Sequence, residues 1–155
     1  MQVKDIMTRN PRFCRVDNNL AEAAELLWNN NCGALPVLDE QGKPIGMVTD
    51  RDICIAVGTR NLRPSETKVG QVAVSRLFAT TPEHDVHAAL ATMKAEKVRR
   101  LAVLNEGALE GILSLNDIAL HATKRQGDLS YTDVAETLKA ICEHTVPESL
   151  IVVAA

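Results

Sequence analysis

The chain repeats itself. Slid along its own length by about 66 residues, Val3-Lys4-Asp5-Ile6 falls on Val69-Gly70-Gln71-Val72. In the same register Leu20, Ala23 and Leu27 fall on Val86, Ala89 and Met93, and Leu35-Pro36-Val37-Leu38 falls on Leu101-Ala102-Val103-Leu104. One residue is then lost in a turn, and Gly46 falls on Gly111. The repeat divides the chain into residues 1–62, residues 63–126 and an extension, 127–155, without counterpart in the first half. A unit of about 60 residues holds too few apolar groups for a secure core of its own. The halves are therefore expected to pack sheet against sheet as one unit, related by a pseudo-twofold.

Each half carries the same run of elements. In the first, Phe13 to Val16 reads as a strand and Asn18 or Asn19 as an N-cap. Leu20, Ala23, Ala24, Leu27 and Trp28 then recur at helical spacing. Ala34 to Leu38 and Pro44 to Thr49 read as a hairpin turning at Asp39-Glu40-Gln41-Gly42, and Asp50 to Val57 as a helix stopped by Gly58. Residues 58–68, with Pro64, connect the halves. In the second, Leu77 to Thr80 is the strand, and Thr81-Pro82-Glu83 leads into a helix carrying Val86, Ala89, Leu90 and Met93. Arg100 to Leu104 and Leu109 to Ser114 form the hairpin, and Leu115 to Lys124 the closing helix. After Gln126-Gly127-Asp128, Ser130 and Asp133 suggest a capped helix over Tyr131 to Glu143. Its stripe is Val134, Leu138, Ile141 and Cys142, which should pack on the body or on another subunit. Ile151-Val152-Val153 reads as a strand or an apolar tail. The fold class expected is α/β (α+β).

Composition narrows the function. A net charge of −3, from 17 basic and 20 acidic residues, lacks the basic face that nucleic-acid binding needs. No apolar run approaches the roughly 20 residues of a membrane span, and Met-Gln-Val-Lys-Asp opens no signal peptide, so a cytoplasmic protein is expected. Cys14, Cys32, Cys54 and Cys142 lie far apart and read as small apolar thiols rather than a disulfide or zinc framework. His84 and His87 are three apart at a helix start with no third ligand in view, and read as a solvated turn.

The chemistry centres on Gly46-Met47-Val48-Thr49-Asp50-Arg51-Asp52 and its second copy, Gly111-Ile112-Leu113-Ser114-Leu115-Asn116-Asp117. A hydroxyl residue three before an acid is a helix N-cap pattern, so Thr49 with Asp52, and Ser114 with Asp117, can do no more than cap themselves. Capping boxes favour Glu or Gln in the third place, however, and both copies carry Asp. An ionised Asp accepts only, and the two hydroxyls of a ribose are adjacent donors, so the same pair suits a ribose. The glycine lets a ligand or a neighbouring backbone come close. The helix N-terminus favours negative charge. Arg99 and Arg100 start the second apolar strand where the first half has Gly33 and Ala34, and their guanidinium groups suit phosphate. Arg51, between two aspartates, suggests a local ion pair.

These pieces resemble a tandem pair of cystathionine-β-synthase (CBS) domains of the small, stand-alone bacterial type. The matching residues are Asp5-Ile6-Met7-Thr8, Gly33-Ala34-Leu35-Pro36-Val37 and Gly46 to Ile53, then Val98 to Val103 and Gly111 to Ile118. The resemblance covers residues 1 to about 124. It implies a β-α-β-β-α unit in each half and two clefts that bind adenosyl compounds: AMP, ADP or ATP, with S-adenosylmethionine or NAD-type ligands as lesser alternatives. By that resemblance Thr49 and Asp52 match the ribose pair of one cleft and Ser114 and Asp117 that of the other. Arg99 and Arg100 match phosphate positions, and Thr80 and Thr81 a cleft-lining loop. Ala34, Leu35, Arg100 and Leu101 would turn backbone groups to the adenine edge. The sequence departs from the pattern at Ala73-Val74, where Met-Thr is common, and at Ala102, where proline is usual.

The reading that follows is a non-enzymatic sensor of an adenine nucleotide that needs no cofactor or metal, forms a homodimer and signals to an unidentified protein. Ser114 and Asp117 would hold the principal nucleotide. The alternative is a structural or dimerisation module with no ligand. No Gly-x-Ser-x-Gly, phosphate-loop or metal-helix motif supports an enzyme.

Overall fold

The computed structural model describes residues 1–73, 77–124 and 129–143. Its strands are β1 (Thr8–Arg9), β2 (Cys14–Arg15), β3 (Ala34–Leu38), β4 (Pro44–Thr49), β5 (Ala79–Thr80), β6 (Arg100–Asn105) and β7 (Ala108–Ser114). Its helices are α1 (Leu20–Asn29), α2 (Asp50–Arg60), α3 (Val86–Glu96), α4 (Leu115–His121) and α5 (Tyr131–Cys142), with single 3-10 turns at Val3–Asp5 and Val69–Gln71.

Two sheets form, in the orders β2-β3-β4 and β1-β7-β6-β5. In each half a short strand pairs parallel with the first hairpin strand, and the hairpin closes antiparallel. The hairpins turn by different chemistry. Asp39 Oδ1 accepts from the backbone N–H groups of Gln41 and Lys43, whereas Glu106 and Gly107 both take positive φ, a two-residue turn matched to strand twist.

The repeat seen in sequence is the core. Leu20 and Val86, Ala23 and Ala89, Leu27 and Met93, Leu35 and Leu101, Val37 and Val103, and Ile53 and Ile118 are buried pair by pair. They do not form one shared core. The first half's residues make one cluster and the second half's another. Unity comes from exchanged arms. Val3, Ile6 and Met7 join the second cluster, while Val69 joins the first. The backbone N–H groups of Val3 and Lys4 donate to the carbonyls of His84 and Pro82, and that of Val69 donates to Asn18. Each arm hands several aliphatic residues to the opposite unit, which answers the shortage of apolar groups in a unit this small.

Some boundaries differ from the sequence reading. Gly58 does not stop α2, which runs to Arg60 and is capped by Asn61 in the left-handed region (φ 50°). A helix tolerates one interior glycine, and asparagine takes the left-handed cap readily. α4 ends at His121 rather than Lys124, and β2 is only Cys14–Arg15. The 3-10 turns and β1 are too short to leave a periodic signal. Residues 126–128, Val74 and 151–153, on which sequence expectations also fell, lie outside the described residues.

α5 packs on α3 and α4 of its own chain. Leu129 and Ile141 enter the second core, Val134 packs against it, and Thr137 is fully buried with Oγ1 donating to the Asp133 carbonyl. Leu138 and Cys142, expected in the stripe, stay exposed. Ser130 Oγ and its backbone N–H both donate to Asp133 Oδ2, and these bonds hold the carboxyl below the usual range. Lys94 pairs with Glu136 at 3.8 Å and Lys97 Nζ donates to the Glu143 carbonyl, tying the helix to α3.

Candidate functional site

Both copies of the repeated motif sit where a strand runs into a helix. In the first, Thr49 caps α2: its backbone N–H and Oγ1 donate to Asp52 Oδ2 at 2.9 and 2.7 Å, and Asp52 N–H donates back to Thr49 Oγ1. In the second, the Ser114 backbone N–H and Oγ donate to Asp117 Oδ2, and Asp117 N–H donates to Ser114 Oγ. The capping box therefore forms with Asp in both copies. This corrects the argument that Asp caps too poorly for that role: the serine or threonine backbone lies close enough for the shorter side chain to reach. Capping and ligand binding are not exclusive, because a carboxylate offers about four acceptor positions and the cap occupies two.

The copies differ in the remaining oxygen. Thr8, on β1, donates its hydroxyl to Asp117 Oδ1 at 3.1 Å. β1 reaches this position by pairing antiparallel with β7, Thr8 opposite Ile112 and Arg9 opposite Gly111. A Cβ on Gly111 would stand 2.8 Å from Met7 Sδ and 2.9 Å from the Thr8 carbonyl oxygen. The glycine of this copy thus admits a neighbouring backbone rather than a ligand. Asp52 Oδ1 has no partner among the described residues.

A cleft of about 400 Å³ opens between the halves over Ser114 and Asp117. Pro11, Ala34, Pro36 and Ile112 give it apolar walls, and Asn30, Asn31 and Asn116 add amide groups. It carries two cations, Arg100 and Arg12, the second steadied by a bond from its Nε to Asn30 Oδ1. Arg12 escaped the sequence reading because its repeat partner is Phe78, so no second copy drew attention to it. The left-handed backbone at Asn10 and Asn31 (φ 49° and 48°) marks the loops that bring these residues in. Arg100 Nη2 would lie 3.3 Å from a Cβ on Gly33, with Asp50 Oδ2 at 3.5 Å on the same spot, so the guanidinium reaches across to the first half where a side chain at residue 33 would crowd it.

Of the other expected residues, Arg99 is exposed and does not line this cleft but a neighbouring hollow beside α5. Leu35 and Leu101 commit their side chains to the two cores. Thr80 is buried with Oγ1 3.1 Å from His84 Nδ1, and Thr81 is half-buried. Thr49 and Asp52 stand on the other copy, apart from the Ser114 cleft. Arg51 forms no salt bridge among the described residues; only its backbone N–H bonds Asp50 Oδ1, so the expected ion pair is absent there. Also among the described residues, no cluster of three or more His, Cys, Asp or Glu could hold a metal, and no helix is long and apolar enough to cross a membrane.

Comparison with known proteins matches the CBS domain over residues 3–58 and again over 69–123. The CBS domain-containing protein YhcV of Bacillus subtilis is 35% identical over 119 residues, 77% of this chain and 84% of that protein. A solved structure of Hypoxic Response Protein I with two coordinated zinc ions superposes with a TM-score of 0.72 at 29% identity, covering 79% of this chain and all of that one. A CBS domain protein from Pyrobaculum aerophilum complexed with AMP superposes with a TM-score of 0.71 at 22% identity, covering 90% and 99%.

Proposed function

The chain belongs to the CBS domain family, and on that premise we propose that it is a non-catalytic regulatory module that binds an adenine nucleotide, AMP, ADP or ATP, between its two repeats. One observation carries the reading: the Ser114–Asp117 cleft combines an apolar slot, a carboxylate with acceptor capacity to spare and two arginines within one space of about 400 Å³. The slot formed by Pro11, Ala34, Pro36 and Ile112 suits a purine face. Asp117 accepts from the ribose, and Arg12 and Arg100 meet phosphate. The AMP complex of the Pyrobaculum aerophilum neighbour supports the ligand class. Thr8, Arg12 and Ala34 come from the first half and Arg100, Ser114 and Asp117 from the second, so an occupant bridges the halves. That bridging is the change of state a partner protein would read. A homodimer belongs to the same reading, with the α1–α2 face, where Trp28 is 86% exposed, as its contact. A monomer in sedimentation equilibrium would remove that element.

The test of ligand class is a thermal-shift panel of AMP, ADP, ATP, S-adenosylmethionine and NAD. A ligand at 100 times its Kd adds about 2.7 kcal/mol of stability. A panel without any shift would favour the second reading, a structural module. The complete capping boxes support that alternative, since both motif copies are already bonded without a ligand.

A further inference from the structure

α5 has no counterpart in the first half, yet it does more than cover a helix face. A second hollow, of about 320 Å³, lies between α4, α5 and the start of β6. Arg99 and Arg100 line one side, Val134 and Leu138 of α5 the other. It shares Arg100, Ser114 and Asn116 with the Ser114–Asp117 cleft, so the two spaces meet along those residues. No carboxylate lines it, and neither arginine has a salt-bridge partner among the described residues. Arg99 stands in this space with no carboxylate beside it, while the Arg100 guanidinium turns toward Gly33 in the neighbouring cleft; an anion with more than one phosphate is the chemistry that would meet both in turn. Arg100 serves both spaces, whereas Arg99 serves only the outer one.

From this arrangement we infer that the hollow under α5 receives the phosphate chain of a nucleotide whose adenosine sits in the neighbouring cleft, and that α5 thereby distinguishes nucleoside di- and triphosphates from the monophosphate. The inference rests on the nucleotide reading above and adds regulation to it. A monophosphate ends at Arg100 and leaves the outer space empty. A longer chain passes Arg100, reaches Arg99 and presses against Val134 and Leu138. α5 is held to the body by a few aliphatic residues and by partly exposed pairs such as Lys94–Glu136 and His87–Asp133, so contact there alters how firmly it stays docked.

The test is calorimetric titration of AMP, ADP and ATP into the full chain and into Arg99→Ala and Leu138→Trp, with hydrogen exchange followed along α5. Both substitutions fall at exposed positions, and thermal melts check that each variant folds. The expected result is ATP and ADP affinity lowered about 10- to 150-fold by Arg99→Ala, the range for losing a charge-assisted hydrogen bond. Leu138→Trp, which fills the hollow, should also weaken ATP and ADP, while AMP stays within about 3-fold in both. ATP, but not AMP, should change exchange in α5. Equal effects on AMP and ATP, no effect on either, or identical α5 exchange with both would overturn the inference while leaving the nucleotide reading intact. A wild-type chain that binds none of the three would overturn both.

Discussion

Thr8 Oγ1 donates to Oδ1 of Asp117 across a sequence separation of 109 residues. The bond joins the N-terminal arm to the helix start of the second repeat and lies in the wall of the cleft between them. It makes Thr8 both a fastening and a competitor, since a ribose hydroxyl approaching Oδ1 meets a carboxylate with three acceptor positions already in use.

That arrangement separates two roles by mutation. Asp117→Ala should weaken AMP binding about 10- to 150-fold, the value of a hydrogen bond to a charged group. Thr8→Val should cost about 0.5–1.5 kcal/mol of stability and leave AMP affinity unchanged or tighter, because the ribose takes the vacated position. Asp52→Ala should have the smaller effect on binding. Calorimetry showing Asp52 essential and Asp117 dispensable would reverse the assignment of the principal cleft.

The glycines make a paired prediction about stability. At Gly111 an added Cβ would strike Met7 Sδ and the Thr8 carbonyl, so Gly111→Ala must push β1 off β7 and should cost about 1–3 kcal/mol. Gly58 lies inside α2 with nothing within 4 Å of a Cβ, so Gly58→Ala should stabilise by about 0.4–1 kcal/mol. Urea unfolding of the two variants measures both. A neutral Gly111→Ala would mean that the arm does not need its close approach.

Thiol chemistry should follow burial. Burial pushes the Cys14 thiol up to about 11, whereas Cys54 and Cys142 are exposed. At pH 8 a maleimide should label Cys54 and Cys142 fast and Cys14 only through unfolding. Cys32 lines the cleft, and bound AMP should slow its labelling. The folded state favours the neutral Cys14 thiol, so its contribution to stability is present below the unfolded thiol's value of about 8.5 and is lost as pH rises from there toward about 11. A melt unchanged across that range in wild type but steepened by Cys14→Ser would contradict this sign.

The repeat, the hairpins and the aliphatic stripes were legible in the sequence because each rests on local pattern, and the buried pairs from Leu20 and Val86 to Ile53 and Ile118 follow it. The Ser130 cap of α5 was equally local. Tertiary structure decided what periodicity cannot carry. It exchanged the arms at Val3 and Val69 between the cores, because each small unit lacks enough apolar surface. It placed Thr8 and Arg12 in the cleft and left Arg99, one residue before β6 begins, in the hollow beside α5. It also assigned Gly111 to the close approach of the paired β1 and α5 to its own chain. These are meetings of residues far apart in sequence, and only the folded chain brings them within bonding distance.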